Sequence, residues 1–128
     1  MPRRKTPTLT EAELRIMNVL WQKGGAGATV QQILDGLARR PPLAYNSVLT
    51  TVRILERKGY LGHVKDGRAH VYEPLVGRQD ATRSEISHLV NRFFRNSHQA
   101  LVLNILEDDE IADEELKRLR KMLEKQER

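Results

Sequence analysis

The stretch Leu43 to Leu61, LAYNSVLTTVRILERKGYL, constrains this chain more than any other. On a helix turning 100° per residue, Val52 and Leu55 fall within about 40° of Val48 and form a core-facing stripe. Asn46, Thr50, Arg53 and Arg57 fall roughly 140° to 200° away, with Ser47 and Thr51 on the flank. That outer face carries amide, hydroxyl and guanidinium groups, and Glu56 interrupts it only at its edge. Such groups suit a helix in a DNA major groove, where Arg grips guanine, Asn grips adenine and Thr offers a hydroxyl and a methyl. Taken alone, the pattern fits an ordinary amphipathic helix with a solvated face equally well.

What precedes and follows this helix narrows the choice. Leu9-Thr10-Glu11-Ala12-Glu13-Leu14 is a capping box followed by an apolar face of Leu14, Met17, Leu20 and Trp21, ended by Gly24 and Gly25. Thr29 with Gln32 opens a second, short helix that carries Val30, Ile33, Leu34 and Leu37 and ends around Leu37 to Arg40, before Pro41 and Pro42. The third helix stops at Arg57-Lys58-Gly59. After it, Asp66-Gly67 sits between two strand-like runs and predicts a hairpin, with Lys65 paired to Arg68 beside the turn and His63 opposite His70. Leu61 and Tyr72 share the histidine face, Val64, Ala69 and Val71 hold the other, and either could be the buried one.

Three helices and a basic-tipped hairpin make a winged helix-turn-helix, in which the third helix reads the groove while Lys65 and Arg68 on the wing touch phosphates. Charge agrees with this division. Residues 1–75 hold 12 Lys and Arg against 6 Asp and Glu, whereas residues 76–128 hold 10 against 11. A polyanion is therefore the expected partner of the first part. Arg3, Arg4 and Lys5 read as a flexible basic arm.

Val76 to Asp80 reads as a linker. Beyond it come a helical stripe of Ile86, Leu89, Val90, Phe93 and Phe94, an apolar run from Ala100 to Leu106, and a last helix over Asp113 to Glu127 with Leu116, Leu119, Met122 and Leu123 on one side. So short a segment buries too little of its own surface to fold alone, which points to dimerisation. The expected interface comprises Ile86, Leu89, Val90, Phe93, Leu101, Ile105, Leu116, Leu119 and Leu123. The fold class is thus mainly α, with a winged-helix DNA-binding domain over 1–76 and a helical dimerisation domain over 77–128.

Other chemistries find little support. Without Cys there is no disulfide, thiolate metal site or cysteine nucleophile. Two histidines fall short of the three or four ligands zinc requires, so no metal and no cofactor are expected. The acidic cluster from Glu107 to Glu115 lacks the spacing of a calcium loop and fits a solvated helix start. No Gly-rich phosphate loop or nucleophile triad suggests an enzyme. No apolar run approaches the roughly 18 residues of a membrane span, and the N-terminus has no signal-peptide core, so a cytoplasmic protein is expected.

From Leu9 to about Lys125 the chain resembles the penicillinase repressor (BlaI/MecI/CopY) family. The resemblance rests on LTEAELRIMNVLW, LAYNSVLTTVRILERKGYL, GRAHVYEPLV and ALVLNILEDDEIADEELKRLRKML. It implies a winged helix that binds a dyad-symmetric operator as a homodimer and represses transcription, in the setting of antibiotic resistance. It also implies a sensor or protease as partner, with inactivation by cleavage in the C-terminal region at an Asn-Phe bond. The matching position is Asn104-Ile105, where Ile105 stands in place of the aromatic. The cysteine cluster of the copper-responsive members is absent. A winged-helix module that binds an acidic protein surface is the alternative, and the outer face without carboxylates favours DNA.

Overall fold

The computed structural model describes residues 8–37 and 43–126. Helix α1 (Glu11–Gln22) begins where its capping box dictates. The Glu13 N–H donates to Thr10 Oγ1 at 3.2 Å and the Thr10 N–H donates to Glu13 Oε1 at 2.8 Å. A 3₁₀ turn (Gly24–Ala26) leads to α2 (Val30–Gly36), which opens on the same device through Thr29 and Gln32. Each box satisfies N–H groups that a helix start leaves without partners. Helix α3 (Tyr45–Arg57) ends in a Schellman motif, with the Tyr60 N–H donating to the Leu55 carbonyl and the Gly59 N–H to that of Glu56, both at 3.0 Å.

The three helices bury one stripe each. Ile16, Met17 and Leu20 from α1 meet Val30 and Ile33 from α2 and Val48, Val52 and Leu55 from α3, with Leu34 and Leu37 packed at the edge. Each such side chain contributes roughly 1.5–3 kcal/mol by leaving water. The predicted basic arm and the stretch from Ala38 to Pro42 lie outside the described residues.

Strands β1 (Leu61–Asp66) and β2 (Ala69–Pro74) form the antiparallel wing. Its register differs from the sequence expectation. Asp66 pairs with Ala69, Lys65 with His70 and His63 with Tyr72, so the turn residues are Gly67 and Arg68. Gly67 has φ +63°, which suits the first central position of a type II′ turn as well as the second position of a type I′ turn. The chain takes the former, so Arg68 sits in the loop rather than opposite Lys65, and His63 is diagonal to His70. Moving the loop by one residue changes each partner by two, so the faces keep their assignment.

The hairpin's root is buried on the histidine face. Leu61 and Tyr72 join the core, while Val64 on the other face is exposed. Ala28 adds an antiparallel bridge to Tyr72, with N–H to carbonyl distances of 2.9 and 2.8 Å, and so ties the α1–α2 connection to the wing.

The segment expected to be a linker is tied down. Helix α4 (Arg78–Phe93) starts inside it, Val76 packs against the core, and the Trp21 Nε1–H donates to the Val76 carbonyl at 2.9 Å. The Arg78 guanidinium lies over the Trp21 ring and donates to Asn18 Oδ1 at 2.8 Å. Ala81 is buried in the same core, and Glu85 Oε1 accepts from the Leu9 N–H at 2.8 Å. The chain divides into two compact units, the first ending at Ile86 and the second starting at Ser87.

The second unit holds the end of α4, then α5 (His98–Leu106) and α6 (Asp113–Gln126). Ser97 caps α5 by accepting from the Ala100 N–H at 3.1 Å. Although α5 reads HQALVLNIL, no residue in it is buried. No helix among the described residues is long and apolar enough to cross a membrane.

Candidate nucleic-acid interface

Helix α3 turns its two faces as the sequence predicts. Val48, Val52 and Leu55 are fully covered, while Asn46, Ser47, Thr50, Arg53 and Arg57 are exposed and Thr51 is half-buried. The Thr50 hydroxyl donates to the Asn46 carbonyl at 2.8 Å and the Thr51 hydroxyl to that of Ser47 at 3.0 Å. Their hydrogens being engaged, these side chains present a methyl and acceptor lone pairs, which matches a thymine methyl or a base amino group. Ser47 and Thr51 lie toward α1, in a cleft they share with Ala12 and Arg15.

The carboxylate that interrupts this face is taken out of it. Glu56 Oε2 lies 2.6 Å from His63 Nδ1, so α3 is pinned to β1 and the negative charge is held at the wing root. A carboxylate can only accept, so Nδ1 carries the hydrogen. The His63 ring in turn stacks on His70 at 4.6 Å between centroids, with Tyr72 tilted at 5.4 Å. Burial, with the charge of Glu56 and the Tyr45 phenol, raises the Tyr72 phenol above its ordinary value, against the opposing charge of Arg53. Lys65 and Arg68 stand exposed at the wing tip.

Two features escape sequence reasoning here. The Glu56–His63 contact joins a helix to a strand through a turn, and no periodicity signals it. Lys58, whose charge suits the α3 dipole, instead reaches the α1 start: Nζ lies 2.7 Å from Glu13 Oε1 and donates to the Thr8 carbonyl at 3.1 Å.

The residues expected at a dimer interface are disposed unevenly. Ile86, Leu89, Phe93, Ile105 and Leu123 are exposed, Leu101, Leu116 and Leu119 are half-buried, and Val90 is already covered within one chain. Asn104 lies within α5, its Nδ2 donating to the Ala100 carbonyl at 3.0 Å, and Ile105 follows it in the helix. No group of three or more His, Asp or Glu side chains among the described residues is arranged to hold a metal ion.

The sequence pattern of the penicillinase repressor family matches residues 9–125. The chain belongs to the penicillinase repressor family. It is 30% identical over 121 residues to the penicillinase repressor of Bacillus licheniformis, covering 94% of this chain and 93% of that one. With the methicillin resistance regulatory protein MecI of Staphylococcus aureus (strain N315) it shares 26% identity over 121 residues, 94% of this chain and 97% of that one. The solution structure of the DNA-binding domain of the repressor BlaI superposes with a TM-score of 0.51 at 28% identity, covering 61% of this chain and 93% of that domain. Penicillinase repressors are transcriptional regulators and not enzymes.

Proposed function

We propose that this chain is a cytoplasmic DNA-binding repressor that occupies a dyad-symmetric operator as a homodimer and so keeps polymerase from the promoter. The observation that carries the reading is the outward face of α3, where Asn46, Thr50, Arg53 and Arg57 are all exposed and Glu56 is turned toward His63. In this reading Asn46, Thr50 and Arg53 contact base edges. Ser47 and Thr51 on the flank and Arg57 at the end of the outer face hold the helix against the backbone, and Lys65 and Arg68 grip phosphates from the wing. Likeness to the solved DNA-binding domain of BlaI supports it.

The second unit supplies dimerisation. Its support is α5, an apolar helix without a buried residue in one chain that exposes Leu103 and Ile105, together with exposed Phe93 on α4 and Leu123 on α6. Two half-site readers held in one body bind a symmetric operator more tightly than either alone. Control by proteolysis fits this arrangement. A cut at Asn104–Ile105 would remove the end of α5 and all of α6, and the partner it requires is a sensor or protease that opens α5 to reach the bond.

A genome-wide occupancy map, paired with transcript levels in a deletion strain, tests the function. We expect a few palindromic promoter sites whose genes rise on deletion. Uniform occupancy, or bound genes that do not respond, would contradict it.

A further inference from the structure

A groove of about 420 Å³ opens between the start of α2, the start of α3 and the wing, lined in part by Gln31, Tyr45, Leu49, Arg68, His70 and Tyr72. Among the described residues no carboxylate lines it, and Arg68 is the cationic side chain of the lining. His70 lines it and stacks on His63, which is held by Glu56. We infer that this groove seats a phosphate of the DNA backbone between Arg68 and the imidazolium of His70, and that binding DNA draws a proton onto His70. The inference rests on the repressor reading above and adds a phosphate site and a proton to it.

The charges around the ring give the reason. From β1, Lys65 is the cross-strand partner of His70 and His63 stacks on it; Arg68 lies in the turn, and Tyr72 meets it edge-on from the same strand. Helix α3 contributes Tyr45 to the groove, with Arg53 and Glu56 nearer Tyr72 and His63; α2 contributes only uncharged groups to the lining. Among the described residues, the charged groups on the wing beside the ring are the cations Lys65 and Arg68, and the carboxylate of Glu56 is engaged by His63. A phosphate in the groove supplies an anion and bonds to the ring's N–H. Imidazole is the side chain whose charge changes between about pH 5 and 8, so this linkage falls in a physiological range. Lower pH therefore tightens binding, and DNA in turn favours the charged ring.

Phosphate contacts carry no sequence information, so a random-sequence duplex of roughly 20 base pairs is a sufficient probe. Its affinity for the full chain, measured by anisotropy at about pH 6 and about pH 8 across a salt series, should rise several-fold at the lower pH. The slope of log affinity against log salt should steepen by about one. His70→Gln should abolish both effects. His70→Lys, charged throughout, should bind at about pH 8 with the steeper slope the wild type shows at about pH 6. A wild-type affinity independent of pH, or a His70→Gln protein that keeps the dependence, would overturn the phosphate seat and leave the repressor reading standing. Failure to bind the duplex at either pH would overturn both.

Discussion

Glu13 and Lys58 meet where α1 begins and α3 ends, and their contact does two jobs. Glu13 completes the capping box with Thr10 and also receives the Lys58 ammonium at 2.7 Å. Burial alone would raise the Glu13 carboxyl, but the hydrogen bonds from Lys58 and the Thr10 backbone, with the Lys58 charge, outweigh it and leave the group below its usual 4.5. Its contribution to stability is therefore present above pH 4.5 and lost as pH falls through the lower folded value. Tyr60 acts at the other limit. Burial first, then the charges of Glu85 and Glu13, push its phenol from 10.0 to about 12, so stability present below pH 10 is lost as pH rises to about 12. Urea midpoints measured across pH should fall at both ends. The side chain of Glu13 is 4% exposed and that of Lys58 is 26% exposed, so Lys58→Met strands a covered carboxylate. We expect a loss of about 3 kcal/mol in urea unfolding, a deficit that shrinks as acid protonates the carboxyl.

At the scale of elements, most of the fold was legible because its signals are local. Thr10 with Glu13, Thr29 with Gln32, the Val48-Val52-Leu55 stripe and the Gly59 stop each act within one or two turns, and each appears where it was read. The exposed outer face of α3 was legible for the same reason. What was not legible depends on residues far apart in sequence: Leu9 with Glu85, Glu13 with Lys58, Trp21 with Val76 and Ala28 with Tyr72. Two of those ties, Leu9 with Glu85 and Trp21 with Val76, hold the segment that reads as a linker and the helix it opens. The position of the wing turn escapes the sequence for a different reason, since a single glycine meets the backbone demand of either turn type. Gly27 offers a test of how the wing is anchored. It has φ +70°, and a Cβ there would lie 2.9 Å from both the Tyr72 carbonyl oxygen and Val71 Cγ1. Gly27→Ala should cost about 2 kcal/mol in urea unfolding. Gly25→Ala, whose Cβ would meet nothing within 4 Å, should be close to neutral.

For the whole molecule, binding a symmetric operator as a dimer needs two bodies with different tasks. The first unit carries its own core, its wing and the first half of α4. Residues 1–86 should therefore sediment as a folded monomer at micromolar concentration, and the full chain as a dimer. A chain ending at Asn104 lacks the α6 leucines and the exposed Ile105, and should sediment as a monomer that no longer represses. A monomeric full-length protein would contradict this assignment of tasks. If α3 reads bases while the wing holds phosphates, the affinities of wild type, Arg53→Ala and Arg68→Ala for a promoter fragment recovered from the occupancy map and for a scrambled duplex should separate the two roles. Arg53→Ala should lose about 1–3 kcal/mol on the promoter fragment and much of its preference for it. Arg68→Ala should weaken both duplexes alike and lower the salt slope by about one, keeping the preference. Equal loss of preference in the two variants, or no preference in the wild type, would contradict the account.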